Sequence, residues 1–285
     1  MTSDPRIIGL LLLAALIHAS WNAVAKTATD KRHLYLVSNL TTGAIASMLV
    51  LILPLPARES WPYILVSGPI QAIYTVVLLA AYRVGDLGQI YPILRGLSPL
   101  LVALGAALFA GEQPSTQQYA GIGIVSLGIA SLAFGGGGRG TSADRRPLLY
   151  CLVGAVFVAT YTVIDGIGVR RSGAPVAYAA WLWVSYAVGA ILCYPLLGRW
   201  KVGTADAGGT VRAIGIGVGM LASYGAIIYA LNMGMMAYVS ALRETSVIIA
   251  AVIGSLFLGE PFGRLRIASA ALVAMGLFVL NGPTL

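Results

Sequence analysis

Four charged side chains stand inside long apolar stretches of this sequence: Arg95, Asp165, Arg243 and Glu244. A charge at the centre of a membrane-spanning helix costs a few kcal/mol, so it is kept where it pairs, lines a wet cavity or meets a ligand. The arginines are suited to attract a carboxylate, and the acids to attract an amine. The structural alternative is that the arginines snorkel or form ion pairs with Asp165 or Glu244. Arg243 beside Glu244 favours such a pair, although adjacent residues on a helix point about 100° apart.

The neighbours of these charges are polar or aromatic. Tyr91, Arg95 and Ser98 share one face of a segment that also holds Pro92, Gly96 and Pro99. Two prolines and a glycine predict a broken helix, which is tolerated at depth only where protein or water surrounds it. The alternative is a kink needed for packing. Tyr161 and Asp165 lie one turn apart, and Gln71, Tyr74, Thr75, Leu78 and Tyr82 share a helical face. His18, Trp21 and Asn22 form a stripe at i, i+3 and i+4. A tryptophan at the bilayer interface is the competing reading of Trp21. Tyr224 lies beside a small-residue strip of Gly215, Gly219 and Ser223, suited to close helix contact. Trp181, Trp183 and Tyr186 read mainly as lipid-facing or packing aromatics. The candidate binding residues are therefore Trp21, Asn22, Gln71, Tyr74, Tyr91, Arg95, Ser98, Tyr161, Asp165, Tyr224, Arg243, Glu244 and Ser246.

The elements that must position them are transmembrane helices. The 285 residues are 58% hydrophobic and only 10% charged, with a mean hydropathy of +0.86. A soluble domain carries roughly 25% charged residues. The apolar runs are continuous over about 20 residues, the length a helix needs to cross hydrocarbon, and they lack the alternation of barrel strands. We place spans at 6–26, 33–53, 61–82, 88–110, 116–134, 147–169, 175–197, 210–232, 236–258 and 263–281. The glycine-rich stretch 135–146 reads as a flexible linker between five-helix halves at 1–134 and 147–285. The expected fold is thus an all-α membrane protein, with ten transmembrane helices as two inverted five-helix repeats around a central cavity.

A shift of 148 positions brings the halves into register. Leu94-Arg95 falls on Leu242-Arg243, Ser98 on Ser246, Leu108-Phe109 on Leu256-Phe257 and Gly111-Glu112 on Gly259-Glu260. Shared alanine or leucine is cheap in this composition; arginine, serine and a Gly-Glu pair in register are not. Five spans per half is odd, so the second half enters the membrane upside down, a plan of secondary transporters with a site near the midplane. Four Lys or Arg residues fall on the side of the N-terminus and twelve on the other. The positive-inside rule then places both termini outside the cytoplasm.

Other chemistry is excluded by what the sequence lacks. It has no His-Glu-x-x-His, Gly-x-Ser-x-Gly, P-loop or metal-ligand spacing, so no catalytic residue, metal or cofactor is assigned and an enzyme is not expected. The net charge of +8 clusters between apolar runs and indicates orientation in a bilayer, not nucleic acid. Cys151 and Cys193 lie in apolar runs as reduced packing residues. The sequon at Asn39-Leu40-Thr41 lies within a span and is disregarded.

The two five-helix halves, the His18-Ala19-Ser20-Trp21-Asn22 stretch and the repeated Arg-x-x-Ser…Gly-Glu pattern resemble the drug/metabolite transporter superfamily, most closely EamA-type ten-helix exporters. The resemblance implies a basket in which spans one, three, four, six, eight and nine surround a cavity. It implies a bacterial inner-membrane exporter of amino acids or related small metabolites, and within the family the aromatic stretches look most like exporters of aromatic amino acids. Cationic drugs or nucleotide sugars are the alternative cargo, and an intramembrane enzyme is the alternative class. Oligomeric state and ion coupling stay open.

Overall fold

The computed structural model describes residues 5–28, 30–84, 87–134, 146–197, 207–258 and 264–282. Helices cover each expected span: α1 (Pro5–Lys26), α2 (Lys31–Ile52), α3 (Trp61–Val84), α4 (Leu87–Ala110), α5 (Thr116–Ser131), α6 (Arg146–Ser172), α7 (Pro175–Cys193) and α8 (Ala207–Met233). The ninth span is divided into α9 (Met236–Arg243) and α10 (Thr245–Leu258), and α11 (Arg264–Asn281) follows. Among the described residues, eight spans are long and apolar enough to cross a membrane, with α9 and α10 counted together. The 16-residue α5 and the apolar stretch Ile267–Asn281 of α11 are shorter. Most of the linker 135–146 lies outside the described residues; α6 begins at its last residue, Arg146.

Local chemistry sets the helix ends. Asp30 accepts the His33 N–H (2.9 Å) at the start of α2. Ser115 and Gln118 form a reciprocal capping box on α5. Pro175 opens α7, where a missing N–H costs nothing. Gly173 and Gly111 leave α6 and α4 with φ of +64° and +66°, a conformation that side chains with a Cβ resist.

Two expectations about helix continuity are corrected. The fourth span is one continuous helix despite Pro92 and Pro99, and the break falls in the ninth span at Glu244. Prolines remove backbone donors at single positions, and the rest of the α4 ladder carries the helix through. At Glu244, the N–H is shared between the Ser240 (3.3 Å) and Ala241 (3.2 Å) carbonyls, and Thr245 Oγ1 donates to Leu242 O (2.8 Å). The turn tightens there while the Glu244 side chain is held by the distant Arg95 and the adjacent Arg243.

Packing follows the repeat. α1 lies on α8 as α6 lies on α3; α2 lies on α8 as α7 lies on α3. α4 packs on α6 as the ninth span packs on α1, while α2–α7 and α5–α11 are pairs that the exchange of halves leaves unchanged. This is the contact pattern of a two-fold axis relating two inverted halves. Close approach at α5–α11 needs glycine: a Cβ on Gly121 would sit 2.8 Å from Leu280 N and 2.9 Å from Gly276 O. Large apolar side chains cover the outside, among them Leu51, Phe109 and Phe278, as a lipid-facing surface requires. The buried charged residues among those described are Arg95, Asp165, Arg243 and Glu244.

Candidate functional site

The centre is built around one carboxylate and two guanidiniums. Arg95 projects from the middle of α4, Arg243 ends α9, and Glu244 occupies the break after it. Arg95 Nε lies 2.7 Å from Glu244 Oε2, and its Nη2 donates to Ser246 Oγ at 3.4 Å. Arg243 donates to Glu244 Oε1 through Nη2 at 3.2 Å and Nε at 3.3 Å. Arg95, Arg243 and Glu244 are at most 3% exposed. The pairing of adjacent Arg243 and Glu244 is possible because the helix stops between them. Two positive groups share one negative group, so the triad keeps one net positive charge in a low-dielectric interior, where it attracts an anion strongly.

An aromatic and polar arm extends from this triad into the first helix. The Arg95 guanidinium lies 5.5 Å from the Tyr91 ring centre, within cation–π range. The Tyr91 hydroxyl is 3.5 Å from His18 Nε2, His18 meets Trp21 edge-on at 4.8 Å, and Trp21 Nε1 donates to Ser223 Oγ at 3.4 Å. Trp21 also packs on Gly219, where a Cβ would meet it at 3.1 Å. Trp21 is thus held against α8 as well as against His18 of its own helix.

A second pole forms at Asp165 on α6. It is fully buried and accepts hydrogen bonds from Tyr178 (3.2 Å, Oδ1), Tyr224 (2.6 Å, Oδ2) and Gln71 (3.1 Å, Oδ2). Among the described residues no cation pairs with it. These neutral donors hold the carboxylate in place, with Ser67 and the charge of Arg243 also acting on it, and no ion pair occupies it, which suits it to a cationic group.

Rings run past this pole. Tyr74 and Tyr161 are 5.9 Å apart, Tyr161 and Tyr224 6.0 Å, Tyr224 and Trp183 6.1 Å, and Trp183 and Tyr186 5.1 Å. Trp183 and Tyr186 are 5% and 4% exposed, which decides between their two readings in favour of packing. Among the described residues, the Trp183 Nε1–H has no hydrogen-bond partner.

The other expected residues divide. Gln71, Tyr74, Tyr91, Arg95, Tyr161, Asp165, Tyr224, Arg243, Glu244 and Ser246 surround the two poles. Ser98 is buried with its hydroxyl on Leu94 O (2.8 Å), and Asn22 Nδ2 bonds to His18 O (2.7 Å), so both serve their own helices. Tyr178 lacked a sequence signal, since it meets Asp165 across the α6–α7 turn. The groove of about 410 Å³ between α3 and α7 lies apart from both poles, is lined by residues such as Trp61, Ile73 and Leu192, and has no charged lining residue.

The sequence model of the EamA-like transporter family matches residues 5–134 and 145–282. No curated protein matches the chain in sequence. A protein of known crystal structure superposes with a TM-score of 0.73 over 96% of this chain and 94% of its own, at 18% identity. That similarity establishes a shared fold.

Proposed function

Because the chain belongs to the EamA-like transporter family, and so carries small solutes across a membrane, we propose that its cargo is a zwitterion of amino-acid type, with aromatic amino acids as the best substrates. The observation that supports this reading is the presence of two buried ionisable groups of opposite sign: the Arg95–Glu244–Arg243 triad, with two guanidiniums to one carboxylate, and Asp165, which has no ion-pair partner among the described residues. A carboxylate is suited to the first and an ammonium group to the second. The rings of Tyr74, Tyr161, Tyr224 and Trp183 offer apolar area and cation-binding faces to the rest of the molecule.

Arg95 and Glu244 stand in opposite halves, so the triad also joins the two units whose relative rocking would expose the site to each side in turn. A substrate carboxylate that takes over Arg95 from Glu244 would loosen that join, and cargo binding would then favour the change of state. We assign the halves to 1–134 and 147–285, read α5 and α11 as the two remaining spans, and place the protein in a bacterial inner membrane with both termini outside the cytoplasm and export as its direction.

The test is counterflow into liposomes containing the purified protein. Vesicles loaded with unlabelled amino acids in turn are assayed for uptake of one labelled aromatic amino acid. Saturable exchange that ranks aromatic zwitterions first supports the reading. Exchange confined to cations lacking a carboxylate, or none by folded protein, contradicts it.

A further inference from the structure

Of the Gly-Glu pair that repeats in the sequence, Gly259-Glu260 lies outside the described residues, and Gly111-Glu112 has no place in the central site. Gly111 turns the chain at the end of α4, and the Glu112 N–H folds back onto Ala106 O (3.1 Å). This aims the Glu112 carboxylate at the start of α9. Met236 N–H donates to both of its oxygens, at 3.0 and 2.9 Å. Met235, the residue before α9, supplies no side-chain cap of its own, so Glu112 caps this helix from the other half of the protein.

Arg170, in the last turn of α6, completes the cluster. Its Nη2 lies 2.6 Å from Glu112 Oε1 and 2.6 Å from Gly234 O, and its Nε donates to Leu231 O at 3.1 Å. One ion pair therefore ties together the ends of α4, α6 and α8 and the start of α9. The α8–α9 connection is gripped at both sides, its carbonyls by Arg170 and its first helical N–H by Glu112. α9 leads from this cluster to Arg243 and Glu244, seven and eight residues on from Met236.

We infer that Glu112 and Arg170 form a gate at the end of the bundle shared with the N-terminus, closed in this structure and opened when the central site faces that side. The pair links first-half α4 to second-half α6, α8 and α9, so the halves cannot part at this end while it holds. It is suited to switching: the Arg170 side chain is 32% exposed while that of Glu112 is 7% exposed, so water reaches the pair when it opens. With Arg170 partly open to water, its ion pair can be exchanged for hydration and re-formed in each cycle. The backbone cap keeps α9 formed meanwhile, since a carboxylate released by Arg170 still accepts the Met236 N–H.

This inference rests on the transporter reading but not on its cargo, and its test needs no substrate. Ser246→Cys, in a chain carrying Cys151→Ala and Cys193→Ala, reports access to the Arg95 site. A membrane-impermeant maleimide is added to one face of oriented proteoliposomes. Glu112→Gln keeps an acceptor for Met236 N–H and removes the ion pair; Arg170→Gln removes the same pair from the other side. Each is expected to raise labelling from the N-terminal face about fivefold, the population change given by roughly 1 kcal/mol, and to lower it from the opposite face. Either variant suffices if the other does not fold. Unchanged labelling in folded protein overturns the gate. An equal rise from both faces also overturns it, because that is a loosened bundle and not a shifted equilibrium.

Discussion

Arg95 Nε and Glu244 Oε2 meet at 2.7 Å across the boundary between the two halves, one residue on a continuous helix and the other at a break. Glu244 is bound by both arginines, so its removal strands two buried positive charges. Glu244→Ala is expected to lower stability by about 3–5 kcal/mol, the range for breaking a buried pair. Thermal unfolding in detergent checks this. A loss under 1 kcal/mol would mean that water already screens the triad.

Asp165 offers a separable effect. Asp165→Asn keeps a carbonyl acceptor for Tyr224 or Tyr178 and removes the charge, so the fold should persist. Exchange of amino acids is expected to fall at least about tenfold, with carboxylic acids lacking the amine much less affected. Competition in the liposome assay reads this out. Equal losses for both ligand types would assign Asp165 a structural role.

The ring run sets preference among substrates. Tyr161 stands between Tyr74 and Tyr224, and Tyr161→Ala removes both contacts. Exchange of aromatic amino acids should weaken about threefold to tenfold, the effect of 0.5–1.5 kcal/mol per ring pair, while small ones change little. A uniform loss across substrate sizes would contradict direct contact.

Packing at α5–α11 gives a test outside the site. Gly121→Ala places a methyl within 2.9 Å of three backbone atoms of α11, whereas Gly123→Ala meets nothing within 4 Å. The first is expected to cost about 1–3 kcal/mol by overpacking and the second to be neutral or slightly stabilising in the helix. Melting temperatures of the two variants decide it.

The parts of this architecture that repeat or cost free energy were legible in the sequence. Arg95 and Arg243 stand out because a charge in an apolar run demands a reason, and their common offset of 148 revealed the halves. The helix break was not legible. Pro92 and Pro99 advertise a break that α4 does not make, while the actual break at Glu244 carries no proline and is accompanied by side-chain contacts from α4. Tyr178 and Trp183 escaped for a similar reason: their partners Asp165 and Tyr224 lie on other helices, and periodicity along α7 does not encode them. Glu112 was visible as a repeated residue, but its capping of Met236 is a contact between halves.

The most direct test of the central claim is counterflow of a labelled aromatic amino acid into proteoliposomes of the unaltered protein and of Arg95→Ala, compared at equal reconstitution of folded protein. The two-pole account predicts saturable exchange by the first and a loss of about a hundredfold or more in the second, since one partner of a buried charge pair is removed. Full exchange by Arg95→Ala would contradict it and remove the triad from the substrate path.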